Sequence, residues 1–468
     1  MPINSFENYP MSWKPVLENG TQPLYRYLAA ELEKDIKNGE LLPGTKLPPQ
    51  RELADFLDIN VSTITRAFKL CTQKGLLNGT IGRGTFVAYN ALECFKMLPK
   101  FDAKNLIEMG SMAPAVTSFK ELSDVLQKML LEPNFGQFLH YGAEQGAIWQ
   151  KKAAVKFIGK MGYITTEDKV LQTAGGQNAI AAILAGLFRV GDSIGVDHLT
   201  YPGIKSAANM LGIKLVPIAQ KNGEISETAL IRACKNDHIK GLYIMPEFQN
   251  PTVHMMSDTC KQMLAKIAIE NELLIIEDGI FCLFNDKTRA AVASYAPENT
   301  VFIASLSKAI APGLRLAYIV PPRRYYKMML DALYNINLTL SPLIIELAGR
   351  TLASGKAEYL IEEQRNIAIE RNLILNKILS DYDVYGLDTS LFRWLVLPKG
   401  WTGSAFEKTA HAQGVQVYAA ERFAVGNTKP TAAVRIAVAA PTLKEFKTGL
   451  EILVSILKKK PLQNSREN

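Results

Sequence analysis

Residues 301–315 read Val-Phe-Ile-Ala-Ser-Leu-Ser-Lys-Ala-Ile-Ala-Pro-Gly-Leu-Arg, an apolar run that passes straight into two hydroxyls, an amine and a guanidinium. The four apolar residues at its start predict a buried strand. Immediately after it come Ser305, Ser307 and Lys308, with Arg315 one short loop further on. A lysine amine beside hydroxyls and an arginine suits a phosphorylated aldehyde: the amine joins the carbonyl carbon, and the serines and guanidinium hold the phosphate. Taken alone, one lysine among serines is ordinarily a surface lysine. The reading therefore rests on what the rest of the chain supplies.

Working outward, further strand-like runs occur at 169–173, 192–196, 214–218, 241–245 and 273–277, interleaved with amphipathic helical segments. This alternation predicts an α/β domain around a largely parallel sheet, starting near residue 105. In such folds ligands gather at the carboxyl edge of the sheet, and three more polar segments fall there. Thr173-Ala-Gly175-Gly176-Gln177-Asn178 lies between a strand and an apolar helix, so Gly176 and Gln177 offer backbone N–H groups to a phosphate. Asn250, in Phe-Gln-Asn-Pro-Thr, follows the 241–245 strand. Asp278 ends the 273–277 strand, where a carboxylate can pair with a protonated pyridine nitrogen or, just as readily, cap a helix. Tyr201 offers a stacking plane or a plain Tyr-Pro turn, and Arg435 is a lone charge inside Ala-Val-Arg-Ile-Ala, suited to a carboxylate or to a buried ion pair.

The first ninety residues have a different pattern. Leu24, Leu28, Leu32 and Ile36 share one helical face; a short helix follows over 50–57, and a third begins after Asn60. In that third helix Ile64, Phe68 and Cys71 face inward while Ser62, Thr65, Arg66 and Lys69 face out. Two short strands are expected next, with a turn at Asn78-Gly79-Thr80 and Gly82-Arg83-Gly84 near the tip. From 59 to 92 there are four basic residues and no Asp or Glu, as a phosphate-facing surface requires. Three helices and a hairpin predict a winged helix-turn-helix. An isolated helix with such a face would be no more than amphipathic; the ordered pattern points to double-stranded DNA.

The 468 residues are enough for a small domain plus a large one, and 48% hydrophobic content is ordinary for globular chains. Five scattered cysteines make neither a CxxC pair nor a ligand cluster, so reduced thiols and no metal site are expected. Glu7 and Pro10 interrupt the start where a signal peptide needs a basic and then an apolar run, and no apolar stretch approaches a membrane span. A cytoplasmic protein is the expectation.

Residues 22–88, with LPGTKLPPQRELADFLDINVSTITRAFKLCTQKGLL and then GRGTFV, resemble the GntR family of regulators. That resemblance implies DNA contacts from Arg51, Asn60, Ser62, Thr65, Arg66, Gly82 and Arg83. Residues 110–455 resemble fold type I aminotransferases, and the two halves in this order resemble the MocR subfamily. The second resemblance implies pyridoxal 5'-phosphate attached to Lys308. It also puts Asp278 at the pyridine nitrogen, Asn250 at the ring oxygen and Tyr201 against the ring. Gly176, Gln177, Ser305, Ser307 and Arg315 take the phosphate, and Arg435 takes an effector carboxylate. A homodimer is implied too. The family usually has a tyrosine two or three residues after the aspartate, where this chain has Ile280 and Phe281. The expected layout is a DNA-binding domain at 12–88, a linker at 89–104 and an aminotransferase-like domain at 105–460. The large part of that domain spans about 150–330 and the small part about 331–460 with the N-terminal segment. Three functions stay open at this point. One is a regulator that senses an amino acid, an amine or the cofactor itself; the second is a working aminotransferase; the third is a plain DNA-binding protein whose cofactor site is structural.

Overall fold

A computed structural model describes residues 11–17, 23–38, 41, 45–80, 84–88, 106–115, 119–142, 145–426 and 428–459. The chain divides into two compact units, Met1–Phe95 with Ala424–Pro430 and Lys96–Phe423 with Thr431–Asn468. The expected linker lies outside the described residues.

In the first unit, helices α1 (Leu24–Asn38), α2 (Gln50–Leu57) and α3 (Val61–Gln73) precede an antiparallel pair, β1 (Leu77–Thr80) and β2 (Gly84–Val87). Asp58 stops α2 in a left-handed conformation, φ 52°, a backbone shape that short polar side chains tolerate. Asn60 opens α3 by accepting the N–H of Ser62 at 2.8 Å. Leu28, Leu32, Ile36, Leu53, Ile64, Phe68 and Cys71 form the core. Trp13, ahead of the first helix, completes it: its ring lies 6.5 Å from that of Phe68 and its indole N–H donates to Asp35 at 2.9 Å. One expectation is corrected. Asn78-Gly79-Thr80 is strand and not turn, because Asn78 pairs with Phe86, Gly79 with Thr85 and Thr80 with Gly84.

The second unit is built on a seven-stranded sheet. Its strands are β3 (Leu171–Thr173), β4 (Ser193–Asp197), β5 (Lys214–Ile218), β6 (Ile239–Ile244), β7 (Leu274–Asp278), β8 (Thr300–Ser305) and β9 (Ala317–Val320). The spatial order is β3-β9-β8-β7-β6-β4-β5. β9 runs antiparallel to both neighbours, and the β4, β5, β6, β7 and β8 pairings are parallel. The sheet is therefore largely parallel, as expected. Strands β7 and β8 are buried along their whole length, which is why their apolar residues, 274–276 and 301–304, run consecutively without alternating with polar ones. Crossing order between β4 and β6 opens the carboxyl edge, the position that receives ligands in such sheets. A second, antiparallel sheet carries β10 (Val384–Tyr385), β11 (Phe392–Val396), β12 (Tyr418–Ala419) and β13 (Ala433–Ala437), ordered β10-β11-β13-β12. Ile107–Glu108 joins this region by pairing with Val415–Gln416.

Among the described residues Cys71, Cys234, Cys260 and Cys282 are free thiols, and no cluster of possible metal ligands occurs. No described helix is long and apolar enough to cross a membrane.

Candidate functional site

Three strand ends of the second unit deliver the chemistry. Asp278 is the last residue of β7 and Ser305 the last of β8, and Asn250 stands six residues past the end of β6. All three are buried. Lys308 follows β8 by one tight turn and donates its amine to the Met112 carbonyl. Burial, aided by the charges of Arg435 and Arg315, pushes that amine down from 10.5 to about 8. A lysine with this environment is neutral, and hence nucleophilic, in a far larger fraction at physiological pH than a surface lysine is.

Around Gly175 the groups expected at a phosphate come together. Gly175 has φ +87°, and a Cβ placed on it would come within 2.8 Å of the Arg315 guanidinium. Glycine is thus required on two counts, backbone conformation and space. A Cβ on Gly176 would lie 3.7 Å from the Ser305 hydroxyl, whose oxygen accepts the Ser307 N–H at 3.3 Å. Helix α4 (Gly176–Leu187) starts here with no side-chain cap, so its first N–H groups point to whatever sits in the cup. Asn178 accepts the Ala174 N–H at 2.9 Å and exchanges a reciprocal pair of amide bonds, each 3.0 Å, with Asn337. Beyond the cup, Ala174, Arg315, Asn337, Thr339 and Ser341 border a cavity of about 250 Å³.

Gln177 donates to the Gly203 carbonyl at 2.9 Å, and a Cβ on Gly203 would fall 2.1 Å from the Tyr201 ring. The missing side chain makes room for that ring. Desolvation and Asp278 push the Tyr201 phenol up to about 12.

Arg435 is completely buried in β13. Its guanidinium donates to Asn250 Oδ1 and to the Gly110 carbonyl, both at 2.6 Å. The rings of Phe423, Tyr418 and Phe392 surround it at 4.9, 5.4 and 5.7 Å. No carboxylate pairs with it among the described residues, so the buried ion pair left open by the sequence is not what holds this charge in place. Burial is the main force pushing its pKa down.

Three buried polar atoms near these groups have no partner: Asn250 Nδ2, Gln177 Oε1 and Arg435 Nε. Orphaned groups at this depth are expensive unless something polar arrives to meet them. Together with the space that Gly175 keeps clear, they fit pyridoxal phosphate and a carboxylate. Asn250 Nδ2 would meet a ring oxygen, Asp278 a ring nitrogen, and the cup a phosphate.

The sequence did not point to Tyr243. It is fully buried on β6 and donates its phenol to Asp278 Oδ2 at 2.9 Å. The signal was present as the single hydroxyl in Gly-Leu-Tyr-Ile, but it becomes meaningful only when β6 is known to pair with β7. Phe281 is also fully buried, with its ring 5.2 Å from that of Phe392.

On the first unit, Arg51, Ser62, Thr65, Arg66 and Lys69 are exposed, the last four along one face of α3. Thr65 also donates to Gln50 at 2.7 Å, tying α3 to α2, and Asn60 is engaged as the cap of α3. Gly82 and Arg83 lie outside the described residues.

Two family models match the chain. Bacterial regulatory proteins of the gntR family match residues 24–87, and aminotransferase class I and II matches residues 104–453. The uncharacterized HTH-type transcriptional regulator YdeF of Bacillus subtilis (strain 168) is 51% identical over 98% of this chain and 99% of its own length. The HTH-type transcriptional regulator NorG of Staphylococcus aureus (strain N315) is 23% identical over 75% of this chain and 86% of its own. Among solved structures, an archaeal alanine:glyoxylate aminotransferase superposes with a TM-score of 0.70 at 21% identity, covering 76% of this chain and 92% of that one. LysN, the α-aminoadipate aminotransferase of Thermus thermophilus, gives 0.68 at 21%, with the same coverage. These structural likenesses speak for the fold alone.

Proposed function

Since the chain belongs to the aminotransferase class I and II family and carries a gntR-type helix-turn-helix domain ahead of it, we propose that it is a transcription regulator of the MocR type. In this reading, residues 12–88 bind operator DNA, 89–104 link, and 105–460 hold pyridoxal phosphate on Lys308 and sense an amino acid, an amine or the cofactor itself. The protein works in the cytoplasm as a homodimer, so that two heads meet two half-sites.

The observation that carries the proposal is the pairing of an exposed basic helix face with an enclosed site whose orphaned polar atoms await a ligand. Bound there, pyridoxal phosphate would supply an aldehyde for amines and an electron-withdrawing ring. The chain's own residues do the rest. Lys308 presents a largely desolvated amine, and Asp278 holds a negative charge at the floor of the pocket. Gly175 and Gly176 leave room for an anion beside Ser305, Ser307 and Arg315. Arg435, kept in place by Asn250 and Gly110, turns a buried cation toward an arriving carboxylate. An effector changes DNA affinity only through unequal affinity for two states of the protein.

Phe281 favours sensing over turnover, because the tyrosine position of related enzymes has no hydroxyl here. The test has two stages. DNA bound by the protein in its own cell is sequenced, and affinity for the recovered fragment is then measured with and without pyridoxal phosphate and a panel of amino acids and amines. At least one compound is expected to shift the affinity several-fold while steady-state transamination stays negligible. Fast turnover together with indifferent DNA binding would overturn the proposal in favour of an aminotransferase.

A further inference from the structure

Asp278 is a buried carboxylate with no cation paired to it among the described residues. What it has are two neutral donors from two different elements. The Tyr243 phenol donates to Oδ2 at 2.9 Å, and the Ile280 N–H donates to Oδ1 at 3.2 Å. Register explains the first contact. Tyr243 pairs with Ile276 across the parallel β6–β7 ladder. Asp278 is two residues past Ile276, so it lies on the same face as Tyr243 and within reach of a long side chain.

We propose that Tyr243 is a positioning residue of the cofactor site, which fixes the plane of the Asp278 carboxylate and keeps it ionised for the ring nitrogen of a pyridoxal-type cofactor. This rests on the reading of the site given above. A carboxylate has about four acceptor positions; with one donor on each oxygen, rotation is stopped and each oxygen still has a lone pair for an N–H from a bound ring. The ionised form needs that help. Burial pushes Asp278 up to about 6, while the Tyr243 and Ile280 bonds act in the opposite direction. Facing Asp278 are Tyr201, Tyr243 and Cys282, and none of these brings a positive charge. The Tyr243 phenol is itself pushed well above its ordinary value by burial and by Asp278, so it stays a donor throughout the accessible pH range.

The experiment is a pH series of pyridoxal phosphate affinity, read by absorbance and quenching, on the full-length protein, Y243F, D278N and the double variant. Tyr→Phe keeps the ring volume, and thermal unfolding checks that the core is intact. Y243F is expected to bind about tenfold more weakly near neutral pH, the loss typical of one hydrogen bond to a charged group. Its affinity should also begin to fall at higher pH than that of the parent, because the carboxylate takes up its proton earlier. In the D278N background, Y243F should add nothing. Equal affinities and equal pH profiles for parent and Y243F overturn the role of Tyr243. An undiminished loss in the D278N background overturns it too, by showing a packing defect. A parent protein that takes up no pyridoxal phosphate at any pH overturns the underlying cofactor reading.

Discussion

Helix α3 and the pocket around Lys308 are both rich in polar side chains, but they are built in opposite ways. On α3 the polar groups come from thirteen consecutive residues and stand in water. In the pocket, Asn250, Asp278 and Arg435 come from three separate strand regions and are buried. A solvated face has little to lose when one side chain is removed, since water replaces what is gone. A buried site keeps its remaining charges without partners, and each removal leaves the others exposed to that cost. Losses at the pocket should therefore exceed losses on the helix.

The largest effect is expected for Lys308→Ala. Borohydride should fix pyridoxal phosphate to the parent protein and leave no adduct on the variant, as mass spectrometry would show. In the parent, the rate of attachment should climb with pH through a midpoint near 8, where the amine loses its proton. A midpoint near the 10.5 of an ordinary lysine would mean that the pocket is wetter than its packing indicates. Next comes Arg435→Ala, expected to weaken spectral responses to α-amino acids on the order of hundredfold, the scale for truncating a buried charged partner. Responses to the corresponding amines, which have no carboxylate, should change far less. Equal losses for both ligand types would reassign Arg435 to holding Asn250 and Gly110.

Arg66→Ala on the exposed face should reduce operator affinity by about tenfold, within the roughly 1–3 kcal/mol usual for one contact, and leave cofactor content untouched. A loss as large as that of Arg435→Ala would break the contrast between solvated and buried groups. Phe281→Tyr should give the smallest change. Its added hydroxyl is expected to lower, by less than about one unit, the pH at which the spectrum of the bound cofactor changes. A lower melting temperature with an unmoved spectral pH would instead place the hydroxyl against Phe392, without a partner.

The same contrast governs what could be read in advance. Strand β8 and the inward positions of α3 follow from the local pattern, because burial on one or both faces writes itself into the neighbouring residues. Most of the cofactor residues could be read one strand end at a time, since the strands other than β9 share one direction and bring their carboxyl ends to one edge. Tyr243 could not. Its value depends on which strand lies beside β6, and that is decided by the whole sheet. Strand β9 is hidden for a related reason: it runs antiparallel into the gap between β3 and β8, and local alternation does not announce such an insertion. Asn78-Gly79 misleads by resembling a turn pair, where cross-strand pairing with Thr85 and Phe86 prevails.

Trp13 has a practical consequence. The chain has four tryptophans, and the other three, Trp149, Trp394 and Trp401, belong to the second unit. Trp13 is 5% exposed and hydrogen-bonded to Asp35, so its emission should be blue-shifted in the folded head and move to the red on unfolding. Replacing the other three with phenylalanine leaves an optical reporter of the DNA-binding unit alone, one that can follow the head while ligands are added to the other unit.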